Sequence, residues 1–148
     1  MNELTRRLLH EQNECTLCWV MQDGAPAATT VSFVAMDEKL YLTALDVSAR
    51  VRALARDPRA VLVISGKGGP VGHSRCVSMQ GTCDIADDEQ TRDKFFPAFA
   101  RVVLPDSEKG AQFMAQSMNT PENLVLCFTP AKILPYDAQA MLDQANSL

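Results

Sequence analysis

Three stretches of this 148-residue sequence carry residue types that could do chemistry. The first is Cys15-Thr16-Leu17-Cys18, which has the C-x-x-C spacing of zinc and redox sites. It lies in a run of strand formers, where residues i and i+3 point to opposite faces, so the two thiols cannot grip one metal. There is no second C-x-x-C, and His10 and His73 lie far off, so the ligand count favours structural cysteines. The second stretch, Gly66–Gly72, is glycine-rich but lacks the G-x-x-x-x-G-K-[ST] order and precedes no helix, so it reads as a hairpin connection. His73 beside it is a loop residue and His10 a solvent-facing helix position; no Ser-His-Asp order and no paired acids stand out. The third stretch runs from Thr43 to Arg50. A strand ends at Thr43 and a helix begins near Ser48, with Arg50 and Arg52 in its first turn. Helix N-termini attract anions through free backbone N–H groups and the helix dipole. A hydroxyl and a guanidinium there supply hydrogen bonds and countercharge for a phosphate. On the residues alone, an anion site and an ordinary capped helix with solvated arginines explain this turn equally well.

The elements that must position these residues follow from periodicity. Asn2–Gln12 predicts an amphipathic helix with Leu4, Leu8 and Leu9 on one face. Cys15–Met21, Pro26–Ala35 and Leu40–Thr43 predict three strands of a meander, joined by turns at Gln22-Asp23-Gly24 and Met36–Lys39. Ser48–Arg56 is helical, with Asp46 or Ser48 able to cap it and Asp57-Pro58 to stop it. Arg59–Ser65, through Ala60-Val61-Leu62-Val63-Ile64, is a near-continuous apolar strand that suits burial on both faces. Arg75–Ile85 is a further strand with a bulge or bend at Gly81. Asp87–Ala100 reads as a helix with an acidic first turn and Phe95, Phe96 and Phe99 facing inward, kinked or split by Pro97. Asp106–Met118 is helical, and Asn123–Leu134 forms a sixth strand interrupted by Pro130. Residues 1–148 thus form one domain, mainly β with α: a six-stranded antiparallel split barrel with flanking helices, whose residues 137–148 are a loosely ordered tail.

Bulk properties narrow the class. Apolar residues make up 47% and charged residues 22%, as in ordinary globular proteins. A net charge of −4 without a basic run argues against a nucleic-acid partner. No signal peptide is visible, and no apolar run approaches a membrane span of roughly 18 residues. Five cysteines, an odd number, fit reduced thiols and a cytoplasmic location.

The element order and the Thr43–Arg50 turn resemble the FMN-binding split barrels of the pyridoxamine 5'-phosphate oxidase-like superfamily, over roughly Glu3 to Tyr136. The resemblance is carried by Leu40-Tyr41-Leu42-Thr43-Ala44-Leu45-Asp46-Val47-Ser48-Ala49-Arg50 and then by Leu54-Ala55-Arg56-Asp57-Pro58-Arg59-Ala60-Val61-Leu62. It implies that Ser48 and Arg50 bind the FMN phosphate, that Thr43 lies beside the phosphate or ribityl chain, and that Thr29, Thr30, Val31 and Ser32 run along the flavin. The family's Arg-Gln pair falls on Arg75 and Cys76, and Cys76 offers no amide to the ring. Where the oxidases open the flavin strand with Arg and end it with Lys, this chain has Ala27 or Ala28 and Ser32, so one cation fewer holds the phosphate. Their C-terminal Arg and His motif is not apparent after Asn123, and pyridoxamine phosphate oxidation is not expected. What the resemblance does imply is an FMN-dependent oxidoreductase acting on a small molecule, with flavin held between two protomers of a homodimer. Two other readings share the barrel: a non-enzymatic flavin- or haem-binding module, with His10 or His73 as haem ligand, and a reductase using the deazaflavin F420.

Overall fold

The computed structural model describes residues 1–148. Helix α1 (Glu3–Glu11) precedes strands β1 (Glu14–Val20), β2 (Pro26–Ser32), β3 (Val34–Met36) and β4 (Lys39–Leu45). Helix α2 (Ala49–Arg56) leads to β5 (Arg59–Ser65) and β6 (Arg75–Ile85). Helices α3 (Glu89–Val103) and α4 (Glu108–Met118) come before the long β7 (Asn123–Asp137) and a terminal α5 (Gln139–Asn146). All strand pairs are antiparallel, in the order β2-β1-β5-β6-β7-β4-β3.

The strand count is seven rather than six, because Pro26–Ala35 is not one strand. Phe33 N–H donates to Asn13 O at 3.1 Å, the last link to β1, and from Val34 onward the chain pairs with β4 instead. A tilted strand in a closing sheet cannot follow both neighbours. The Phe33 ring, 1% exposed, fills the core at the point of divergence. Because β2 and β3 are the two edges of the sheet, this one-residue link closes the barrel. Continued back two residues, the β3–β4 register would set Ser32 opposite Thr43, but no ladder joins β2 to β4. The two strands therefore flank a split.

Side-chain alternation directs Leu17, Leu40, Leu42, Leu62, Met79 and Phe128 into one core, and Leu8 and Leu9 of α1 and Val51 and Leu54 of α2 belong to the same cluster. Helix α3 covers a second, outer cluster: Phe95, Phe96 and Phe99 pack on Val34 and Val125, with Phe95 edge-on to Phe96 at 5.1 Å and stacked on Phe99 at 5.2 Å. Pro97 lies inside α3 without splitting it; the helix loses the Asp93 carbonyl's partner, and the buried phenylalanines on either side hold the axis together. Arg92 fixes α3 to the chain ahead of β7. It donates to Asn119 Oδ1 at 2.9 Å and to the carbonyls of Thr120 and Asn123 at 2.7 and 2.9 Å, pairs with Asp87, and lies 5.0 Å from the Phe96 ring centre.

Gly81 marks the bend as expected. The β6–β7 register shifts at Gln80/Gly81, and a Cβ on Gly81 would stand 2.1 Å from Thr129 O. Pro130 does not interrupt β7, since the shift accommodates it. Strand β5 differs from the reading of burial on both faces: Ala60, Leu62 and Ile64 are buried, whereas Val61 and Val63 on the outer face are only half-buried.

Two substitutions test this packing. Thr5 is fully buried in α1 and its hydroxyl has no partner. Thr5→Val should therefore stabilise the protein by about 1 kcal/mol, a rise of about 3 °C in Tm. Arg92→Ala, which strands two carbonyls and Asp87, should cost about 2–3 kcal/mol in a urea titration.

Candidate functional site

The turn between β4 and α2 is built by its neighbours. Pairing of β4 with β7 sets Thr43 against Val125 and Leu45 against Asn123. Asp46 N–H then donates to Glu122 O at 2.8 Å, and Ser48 N–H to Leu45 O at 2.9 Å. Burial of Val51, Ala53 and Leu54 fixes the rotation of α2, and the helix stops at Asp57. Ser48 occupies the N-cap with extended backbone (φ −68°, ψ 145°), yet its hydroxyl makes no cap bond. That oxygen is buried and has no partner at all. The backbone N–H groups of Ala49, Arg50 and Val51 find no acceptor either. Helices α1, α3 and α4 each have a side-chain cap and an acidic residue in the first turn; α2 has neither.

Arg50 adds the countercharge. Its half-buried guanidinium faces no carboxylate within pairing distance, and its one hydrogen bond runs from Nη2 to Thr43 O at 3.2 Å. The Thr43 hydroxyl donates to Leu124 O at 2.9 Å, so this residue holds Arg50 in place through its carbonyl. Cys83 stands nearby in the barrel. Burial, then Cys127 and Asp84, push its thiol up to about 12, and Arg50 works against that shift. Three convergent N–H groups, an idle hydroxyl and an unpaired cation at a helix N-terminus are the donor set of a phosphate site.

The remaining residues singled out from the sequence fall in two places. On β2, Val31 packs against the core, while Thr30 pairs with Thr16 and Ser32 with Glu14; Ser32 ends the strand at the split, and Thr29 pairs with Leu17. Arg75 and Cys76 open β6, whose far end, Ile85, pairs with Leu126 next to the Thr43 partner Val125. Ten residues separate those ends, about 33 Å of strand at about 3.3 Å per residue. Arg75 is also engaged: its Nε bonds Asp137 at 3.1 Å and its Nη1 donates to Val71 O at 3.2 Å. One chain therefore brings Thr43, Ser48 and Arg50 together at the split and leaves Arg75 and Cys76 apart from them.

Periodicity could not reveal two cavities on the outer side of β1 and β5. One, of about 380 Å³, is lined by Gln12, Glu14, Thr16, Val63, Ser65 and Lys67. The other, of about 480 Å³, is lined by Cys18, Trp19, Val61 and Gln80 among others, and the Trp19 indole N–H is buried without a partner. His10 and His73 are both exposed, and no three His, Cys, Asp or Glu side chains converge to hold a metal. Cys15 and Cys18 point to opposite faces, as the strand reading requires, and all five cysteines are unpaired.

A serine that caps its helix costs about 1 kcal/mol when replaced by alanine. Ser48→Ala should leave the melting temperature unchanged or slightly raised, because the hydroxyl satisfies nothing in the protein, while weakening capture of a phosphorylated ligand measured by calorimetry.

The fold and this turn have counterparts. The family model described as pyridoxamine 5'-phosphate oxidase matches residues 1–136. No curated protein matches the sequence. Among solved structures, a conserved hypothetical protein from Mycobacterium tuberculosis superposes with a TM-score of 0.81 at 17% identity, covering 95% of this chain and 88% of that one. A protein described as an F420 reductase gives a TM-score of 0.65 at 17% identity, covering 87% and 94%. A heme binding protein from Mycobacterium smegmatis gives 0.63 at 18% identity, covering 93% of this chain and 58% of that one. At these identities the structural matches establish the split-barrel fold alone, and the family match over nearly the whole chain establishes descent: the protein belongs to the pyridoxamine 5'-phosphate oxidase-like family.

Proposed function

We propose that this chain is a cytoplasmic flavoprotein that holds FMN at the split, works as a homodimer, and uses the flavin to oxidise or reduce a small molecule. The observation that carries the reading is the unsatisfied donor set at the α2 N-terminus: the buried, partnerless Ser48 hydroxyl, the free N–H groups of residues 49–51, and unpaired Arg50. A phosphate monoester satisfies all of them together. Ser48 and the backbone donate to its oxygens, Arg50 balances its charge, and the Thr43 carbonyl keeps the guanidinium oriented. The strand Thr29–Ser32 borders the same split, where its backbone would meet the polar edge of the ring. Bound FMN supplies hydride or electron transfer, and the protein supplies binding, orientation and exclusion of water. No side chain beside the turn is placed as a general acid or base, and the activity of pyridoxamine phosphate oxidases is not assigned to it.

The homodimer draws support from β5. A strand apolar at every position from Ala60 to Ile64 is half-exposed on its Val61 and Val63 side. Paired neighbours Thr16, Cys18, Ser78 and Gln80 extend that outer face with uncharged side chains. A second copy would cover it, and would supply Arg75 and Cys76 to a site their own chain cannot reach. Five unpaired cysteines fit a reducing cytoplasm. The F420 reductase likeness keeps one alternative cofactor in view, because a deazaflavin also carries a phosphate. The heme binding protein likeness keeps haem as a second alternative, although both histidines, His10 and His73, are exposed.

Titration of the protein with FMN, riboflavin and F420, followed by flavin fluorescence and absorption, decides among these. The expected result is micromolar or tighter FMN binding, much weaker riboflavin binding, and a loss of about 10- to 100-fold in Arg50→Ala. Equal binding of riboflavin and FMN, or no FMN uptake at micromolar concentrations, would overturn the phosphate assignment. Tighter binding of F420 than of FMN would move the reading to the deazaflavin.

A further inference from the structure

Helix α5 leaves most of its apolar side uncovered by its own chain. Its sequence is amphipathic, with Ala138, Met141, Leu142, Ala145 and Leu148 forming one stripe at positions i, i+3, i+4, i+7 and i+10. An amphipathic helix of a monomer lays such a stripe on its own core. Here polar contacts fasten only the start of the helix. Ser74 Oγ lies 2.6 Å from Gln139 Oε1, Gln139 Nε2 donates to Asp143 at 2.7 Å, and Asp137 accepts from Gln139 N–H at 2.9 Å and from Arg75 at 3.1 Å. Within the stripe, Ala138 and Leu142 are half-buried against their own chain, but the rest is uncovered: Met141 is 63% exposed, Ala145 and Leu148 are exposed, and α5 contains no buried residue. An eight-residue helix is too short to persist on its own hydrogen bonds.

We propose that α5 is an intersubunit arm whose apolar stripe docks on the second copy of this chain. This rests on the homodimer reading given above. The stripe adjoins the uncharged outer face, where Leu134 and Tyr136 are 45% and 59% exposed at the end of β7, one turn of chain before the helix. Three rows of outward positions across β2, β1, β5, β6 and β7 carry only two charges, Glu14 and Lys132, on different strands. A twofold axis across the face can set each of these against the opposite charge of the other copy, so the surface is complementary to itself. The rows alone fall short of the roughly 20–30 residues per side of a stable interface, and the five stripe positions bring the total into that range. A small-molecule or peptide partner would not need a surface that matches itself in this way.

Sedimentation equilibrium of the full-length protein tests the arm, with Met141→Glu against Ala140→Glu as a control that adds the same charge at an exposed position on the side of α5 away from the stripe. Because Met141 is exposed within one chain, its replacement leaves the fold intact, which thermal melting at a fixed concentration verifies. In a twofold dimer the lost contact counts twice, so Met141→Glu should raise the dimer dissociation constant about 30-fold or more. Ala140→Glu should change it by less than about 3-fold. A dimer indifferent to Met141→Glu overturns the arm and leaves the homodimer reading standing. A full-length protein that stays monomeric at tens of micromolar overturns both, whereas tight dimerisation that both variants weaken equally overturns the arm alone, since charge rather than the stripe would then control it.

Discussion

The structure depends on a change of partner at one residue. Up to Ser32 the chain is hydrogen-bonded to β1, and from Val34 it is hydrogen-bonded to β4, with Phe33 as the whole of the connection. Since those partners belong to opposite edges of the sheet, covalent continuity at Phe33 obliges the sheet to close. Closure sets the strand tilt, the tilt opens a wedge where β2 and β4 diverge, and α1 and α2 contribute Leu8, Leu9, Val51 and Leu54 to the core they help seal. The β4–α2 turn lies at that wedge because β4 is one of its walls. The family relationship describes this arrangement by descent; the partner change explains it physically.

Two kinds of unmet demand remain once the chain is folded. One is polar: a buried hydroxyl, three backbone N–H groups and a cation without counterpart, all within Ser48–Val51. Buried polar groups are rarely left alone, and an unsatisfied one such as the Ser48 hydroxyl costs roughly 1–3 kcal/mol. The other demand is apolar: one side of β5 and the stripe of α5. They differ in character, and so would their remedies, a compact anion in the first case and an extended surface in the second.

Much of this was legible in the sequence because it is local. The Gly81 bulge, the hairpin through Gly66–Gly72, the opposed Cys15 and Cys18 and the helix starting at Ser48 follow from backbone chemistry within a few residues. Non-local facts were not. Alternation through Pro26–Ala35 records which side chains face inward, not which strand lies alongside, so the break at Phe33 leaves no trace in the pattern. The uniform apolarity of β5 reads as burial on both faces, and one chain buries a single face. Ser48 is the residue type expected of a cap; that its hydroxyl caps nothing depends on rotamer and packing. Arg75 resembles a free cofactor ligand until Asp137, 62 residues on, is seen beside it.

That pairing does not disqualify Arg75 from a site shared between two copies. The Asp137 carboxyl is held below its ordinary range first by the Gln139 N–H and then by Arg75, so it keeps its main partner if the arginine turns away. The pair is partly open to water, 27% and 47% exposed by side chain, where ion pairs contribute little. Exchanging Asp137 for a more highly charged phosphate or a flavin carbonyl edge is then nearly neutral for the protein. The same exchange would loosen one anchor of α5 while leaving Ser74–Gln139 in place. In the dimer proposed above, ligand at the split and arm at the interface would be linked through a single guanidinium, and by thermodynamic reciprocity each would then alter the affinity of the other.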